Sequence, residues 1–217
     1  MQLDYSVILD KLPLFLDGCF VTLEISFFAL LLGMMFGIIG ALCRIANNRF
    51  LNSIAFFYVW IIRGTPVMVQ LFILYFGLPQ LGIKLSSMTA GVLGLAVNTG
   101  AYIAEIIRAG IQAVDKGQFE AALSLGMKYP KVMVRIIGPQ AVKFCIPPLV
   151  SQFIMTLKNS SIASLVTITE LLRTGEQLIY TTFRSFEVYT VVAVLYLIMN
   201  SFFMIMASKL EKRMERT

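Results

Sequence analysis

The sequence predicts an all-α polytopic membrane protein with five transmembrane helices. Composition points there first. Of 217 residues, 58% are hydrophobic and only 14% charged, where a soluble domain is about a quarter charged. That leaves too little polar surface to coat a globule of this size. The mean hydropathy, +0.82, agrees. The third observation is spacing. Residues 25–43, 64–83, 85–104 and 188–208 carry no charge, and 136–157 carry only Lys143. Each run can cross about 30 Å of hydrocarbon as a helix. These features exclude a secreted disulfide scaffold, a disordered regulator and a nucleic-acid module. The whole chain reads as one transmembrane domain with spans at about 18–43, 52–78, 86–110, 133–158 and 186–208.

The first run follows Asp4, Asp10 and Asp17. That is the wrong charge for the leading region of a signal peptide, so it reads as a permanent span. Its Gly33-x-x-x-Gly37 matches a helix-packing spacing, a weak signal in an apolar helix. Glu24 has no partner nearby in sequence, and either a chamber or the outer surface accommodates it. The second span is interrupted by Arg63-Gly64-Thr65-Pro66. Proline removes a backbone donor and clashes with the preceding turn, so the span kinks or unwinds there. Carbonyls freed at membrane depth are tolerated only against protein or water. The break is therefore a structural kink, and Arg63 adds the option of a cavity or a buried ion pair.

Span three places Asn98, Tyr102 and Glu105 at i, i+4 and i+7, on one helix face. Span four repeats this with Gln152, Thr156 and Asn159, with Lys158 and Ser160 at its outer end. Ionisable groups in a span cost roughly 2.5–3.5 kcal/mol each and face the interior. Two polar faces suit a wet chamber. Interhelical hydrogen bonds that only join helices are the competing explanation. Glu105 and Arg108 are spaced for a local ion pair.

Two segments lie outside the spans. Residues 113–130 favour helix by composition, with Phe119, Ala122 and Leu123 on one face, Gly126 suited to a C-terminal cap and Pro130 to a break. The segment is either a surface helix on the membrane or a knob for a partner protein. Residues 160–182 carry an apolar face through Ile162, Leu165, Ile168, Leu171 and Leu172, with Glu170 and Glu176. This stretch is too short and too polar to span. It is a gate-like partial helix tucked toward a cavity, or a simple helix on the rim.

Lys and Arg in the loops set the orientation. Arg44, Arg49, Arg108, Lys116, Lys128, Lys131, Arg135, Lys209, Lys212, Arg213 and Arg216 fall on one side, against Lys11, Lys84, Lys158, Arg173 and Arg184 on the other. The positive-inside rule places the first group in the cytoplasm. The N-terminus is then outside and the C-terminus cytoplasmic, as an odd number of spans requires. Five spans do not divide into two equal halves, so a closed pathway calls for a second copy or a homologous partner. The chain has no His, its three cysteines lie far apart, and no GxxxxGK[ST] phosphate loop or Gly-x-Ser-x-Gly elbow occurs.

Glu120-Ala121-Ala122 with Gly126 and, after nine residues, Ile136 resembles the cytoplasmic EAA signature of bacterial ABC importer permeases. The family continues with Leu-Pro; here Gly138-Pro139 keeps only the proline. Arg63-Gly64-Thr65-Pro66 through Gln70, Ala101-Tyr102-Ile103-Ala104-Glu105 with Arg108, Gly117-Gln118 and Lys158-Asn159-Ser160-Ser161-Ile162 look like the polar amino-acid uptake permeases. The resemblance covers nearly the whole chain. It implies a type I importer in the bacterial inner membrane, with two permease subunits, a cytoplasmic ATPase dimer and an extracytoplasmic substrate-binding protein. It implies that 113–130, through Glu120, Ala121, Ala122 and Gly126, docks into the ATPase. ATP and Mg then belong to that partner, and this chain is no enzyme and carries no cofactor. A polar amino acid, basic ones included, needs donors for its carboxylate and acceptors for its ammonium. Asn98, Tyr102, Thr156, Lys158 and Asn159 are the expected contacts, with Glu24, Glu105 or Glu170 for a cationic side chain. An opine or sulfur amino-acid permease and a non-transporting scaffold for an ATPase are the alternatives.

Overall fold

In a computed structural model of the chain, residues 5–214 are described. Asp4 and Arg216, both used in the charge pattern, lie outside them. After a single helical turn at Ser6–Leu9, helix α1 runs Leu12–Ile45. Pro13 sits in its first turn, where its missing N–H costs nothing. At 34 residues α1 is about 51 Å long, so it starts before the apolar run and carries Asp17 on its first turns. Helix α2 (Arg49–Gly64) is started by Asn48, whose side chain accepts from Phe50 N (2.9 Å) and Leu51 N (3.4 Å), a favoured N-cap. The α1–α2 corner is pinned by two bonds between Arg44 and Asn52 (3.0 and 2.7 Å).

After the break, α3 (Val67–Phe72) continues through a π turn at Ile73–Gly77 and a 3₁₀ turn at Leu78–Leu81. The two halves of this second span meet at 105°. That is a corner rather than a kink: among the described residues four helices are long and apolar enough to cross a membrane, five if the bent pair counts as one span. Helix α4 (Ser87–Gln112) is capped by Ser86, which accepts from Thr89 N at 3.1 Å. Helix α5 (Lys116–Ser124) is the short helix within the 113–130 segment. A turn at Tyr129–Val132 and a π turn at Met133–Ile137 lead into α6 (Gly138–Asn159), which tightens to 3₁₀ over Ser160–Val166. Pro130 thus begins the next helix rather than only ending the loop. Helices α7 (Leu171–Thr182) and α8 (Ser185–Met214) complete the order. Among the described residues there is no strand.

α1 packs along α4, and glycines set the distance. A Cβ on Gly37 would lie 2.4 Å from Ile103 Cγ2, and one on Gly33 3.1 Å from the Ala96 carbonyl. The Gly33-x-x-x-Gly37 spacing is therefore the α1–α4 contact itself. Ile25, Ala29, Leu71, Leu95, Ala163, Val166 and Ile168 form one core where α1, α3, α4 and the turn after α6 meet. Phe15, Leu171, Leu178, Val188 and Val192 form a second between α1, α7 and α8. Phe27, Leu31, Trp60, Phe202 and Ile205 point outward, as in helices solvated by lipid. Leu165, expected on the packed face of 160–182, is 46% exposed instead, while Ile168 and Leu171 are buried.

Candidate functional site

The site begins at Pro66. Thr65 takes an extended conformation (φ −120°, ψ 144°), as a residue before proline must, and the chain turns. Pro66 has no N–H, so the Ile62 carbonyl loses its helical donor. The Gln70 side-chain amide supplies one. Its Nε2 lies 2.8 Å from Ile62 O, 3.1 Å from Thr65 O and 2.9 Å from Thr65 Oγ1. Gln70 Oε1 accepts from Asn98 Nδ2 at 3.1 Å, which ties the corner to α4.

The corner, α4 and α6 enclose an open cavity of about 410 Å³, lined by Arg63 to Val67, Asn98, Tyr102, Gln152, Met155 and Asn159. The Arg63 guanidinium carbon sits 5.1 Å from the centre of the Tyr102 ring, a cation–π contact that aims the cation at the cavity. Asn98 and Gln152 are nearly buried (6% and 8% exposed). Among the described residues, no carboxylate lines the cavity. Its chemistry is one guanidinium, a phenol, a Thr hydroxyl and three carboxamides: donors for an anion, and carboxamide groups that both donate and accept.

Of the expected contacts, Asn98, Tyr102 and Asn159 come together here. The others do not. Thr156 is 1% exposed; its hydroxyl donates to Gln152 O and pairs with Thr99 Oγ1, both at 2.9 Å. It joins α6 to α4 behind the cavity wall. Lys158 is exposed and Glu24 half-buried, and neither lines the cavity. Glu170 is fully buried elsewhere. It caps α7, accepting from Leu172 N and Arg173 N (2.9 Å each) and from the Tyr196 hydroxyl (2.9 Å). Burial pushes its carboxyl above the ordinary carboxylate pKa, while these hydrogen bonds pull it back down. Arg63 lines the cavity as well, at the break where a cavity was one expected option, and Met155 is a lining residue that sequence reasoning did not single out. Spacing offered a signal: Gln152, Met155 and Asn159 follow i, i+3, i+7 on one face of α6. Glu105 bonds to Arg108 (Nε 2.9 Å), just beyond Tyr102 and off the lining.

The second surface is α5. Asp115 Oδ1 accepts from Gly117 N at 2.8 Å and starts the helix. Gly126 (φ 78°) ends it: Gly126 N donates to Leu123 O (2.8 Å) and Met127 N to Ala122 O (3.2 Å), the Schellman pattern. Ala122 is buried against Val132 and Ile137, and Phe119 packs beside them. Leu123, expected on that same face, is 43% exposed, and Leu125 is 83% exposed. Glu120 and Ala121 share the outer face. The helix thus presents two large apolar side chains beside a carboxylate.

Residues 30–216 match the family of binding-protein-dependent transport system inner membrane components. The chain is 40% identical to the probable glutamine ABC transporter permease protein GlnM of Bacillus subtilis (strain 168) over 215 residues, 99% of this chain and 100% of that one. It is 36% identical to the arginine transport system permease protein ArtQ of the same strain, with 99% of each chain covered. Its structure matches the crystal structure of an amino acid ABC transporter with histidines at a TM-score of 0.94 and 41% identity, covering 98% of this chain and 100% of that one. The MetNI methionine ABC transporter, 19% identical at a TM-score of 0.72, shares the fold. The chain belongs to the family of inner-membrane permease components of binding-protein-dependent ABC transport systems.

Proposed function

We propose that the chain forms one half of the membrane pathway of an importer for a polar, uncharged amino acid, and that the cavity at the broken second span holds the substrate. The polar lining of that cavity carries the reading. Arg63 donates to the α-carboxylate, and Asn98, Gln152 and Asn159 exchange hydrogen bonds with the ammonium and with a carboxamide side chain. A cationic side chain would meet Arg63 and find no carboxylate, so the lining favours a glutamine-like substrate over an arginine-like one. Relatives named for glutamine and for arginine are both similar to this chain, so the lining is what separates them. The openness of the cavity fits a pathway completed by a second permease subunit.

In this reading the N-terminus is outside, and α5 lies in the cytoplasm with Glu120, Ala121, Leu123 and Leu125 docked on an ATPase subunit. ATP and Mg are bound there. Closure of the ATPase dimer favours one permease conformation over the other, as any ligand-driven shift requires. An extracytoplasmic binding protein delivers the substrate. Uptake of labelled glutamine and arginine by the assembled transporter in liposomes tests the reading. Glutamine uptake that Asn98→Leu and Gln152→Leu abolish supports it. Equal uptake by these variants and the wild type refutes the cavity, and no uptake of either amino acid by the wild type revives a non-transporting scaffold.

A further inference from the structure

The hydrogen bonds at the corner fix more than the backbone. A side-chain amide can usually be turned either way round, but Gln70 cannot. Two of its three neighbours at the break are carbonyls, Ile62 O and Thr65 O, which only accept. The third, the Thr65 hydroxyl, spends its proton on Ile61 O at 2.9 Å, so it too accepts. The nitrogen end of Gln70 must therefore face the break, and Oε1 must face α4. That orientation dictates the next one. Asn98 meets an acceptor at 3.1 Å and must present Nδ2 to it. Asn98 Oδ1 is then left with no protein partner among the described residues, on a side chain that lines the cavity.

We infer that Gln70 is a positioning residue that locks Asn98 with its carbonyl oxygen toward the substrate, so that the cavity offers an acceptor for the ammonium group opposite the Arg63 donor for the carboxylate. The inference rests on the cavity reading above. Gln70 also replaces the donor that Pro66 removes, so the same side chain builds the corner and sets the polarity of the site beside it. A hydrocarbon side chain at position 70 frees Asn98 to rotate and present either end.

The test is equilibrium binding to the permease–ATPase complex in nanodiscs, without the binding protein, using L-glutamine and glutaramic acid, the same molecule lacking the ammonium. The wild-type complex prefers L-glutamine. Gln70→Met is expected to cut that preference about tenfold, the scale of one hydrogen bond to a charged group, through weaker L-glutamine binding with glutaramic acid unchanged. Gln70→Glu still accepts from Asn98 Nδ2 and retains the preference, although it can no longer donate at the break. Equal weakening of both ligands by Gln70→Met, an intact preference in it, or loss of the preference in Gln70→Glu overturns the inference. If Gln70→Met does not assemble, Gln70→Glu alone decides. A wild-type complex that does not bind L-glutamine, or binds it equally after Asn98→Leu, overturns the cavity reading instead.

Discussion

Replacing Gly126 separates backbone geometry from contact at the end of α5. Gly126 holds φ at 78°, and a Cβ there would meet nothing within 4 Å. Within this chain a side chain has room, and the whole cost is conformational. For an ordinary L-residue that cost is roughly 1–2 kcal/mol, whereas Asn tolerates the left-handed region. A penalty of that size lowers the capped population about 5- to 30-fold relative to the uncapped one. The two closing hydrogen bonds to Leu123 O and Ala122 O open with it, and Leu125 leaves its place. Gly126→Asn is therefore expected to remain close to wild type, Gly126→Ala to be intermediate, and Gly126→Val to be the worst, because β-branching further disfavours positive φ. The assay is co-purification of the ATPase with each variant, together with transport-linked ATP hydrolysis in liposomes. Gly126→Asn failing as badly as Gly126→Val would show that the partner rejects any side chain there, and would refute the backbone argument.

Three further outcomes follow from the geometry. Gln152→Glu places a carboxylate in a cavity that lacks one, and should shift uptake from glutamine toward arginine by tenfold or more in competition assays. Gly37→Ala puts a Cβ 2.4 Å from Ile103 Cγ2 and 2.6 Å from its Cβ, so α1 and α4 must separate; overpacking of this kind costs about 1–3 kcal/mol, read as a lower Tm of the purified complex. Glu170→Ala removes the cap of α7 and should lower the Tm by an amount matching about 1–2 kcal/mol, while leaving the KM for uptake unchanged; a raised KM with an unchanged Tm would return Glu170 to the substrate path.

The spans were legible because charge in hydrocarbon is costly, so uncharged runs mark them. Their ends were not: α1 begins at Leu12 and carries Asp17, since a helix continues into the interface wherever its backbone remains bonded. The break at Pro66 was legible from the residue itself. Its 105° angle was not, because the angle depends on Gln70, Thr65 and Asn98 meeting across two helices. Asn98, Tyr102 and Asn159 were visible as polar positions on helix faces. Thr156 shares that periodicity, but its hydroxyl bonds Thr99 and Gln152 O, and spacing cannot distinguish a hydroxyl that joins helices from one that lines a cavity. Glu170 looked available for a cation because a sequence does not show that two amides and the Tyr196 hydroxyl already occupy its carboxylate. Gly126 was recognisable as a cap, whereas Leu123 was assigned to the packed face that Ala122 and Phe119 occupy.

The pathway itself is tested most directly at Met155, which lines the cavity and is 48% exposed. In a Met155→Cys transporter with Cys19, Cys43 and Cys145 replaced by serine or alanine, a membrane-impermeant thiol reagent should label position 155, block uptake, and react more slowly when glutamine is present. Labelling that leaves uptake at the unmodified rate would contradict a substrate path through this cavity.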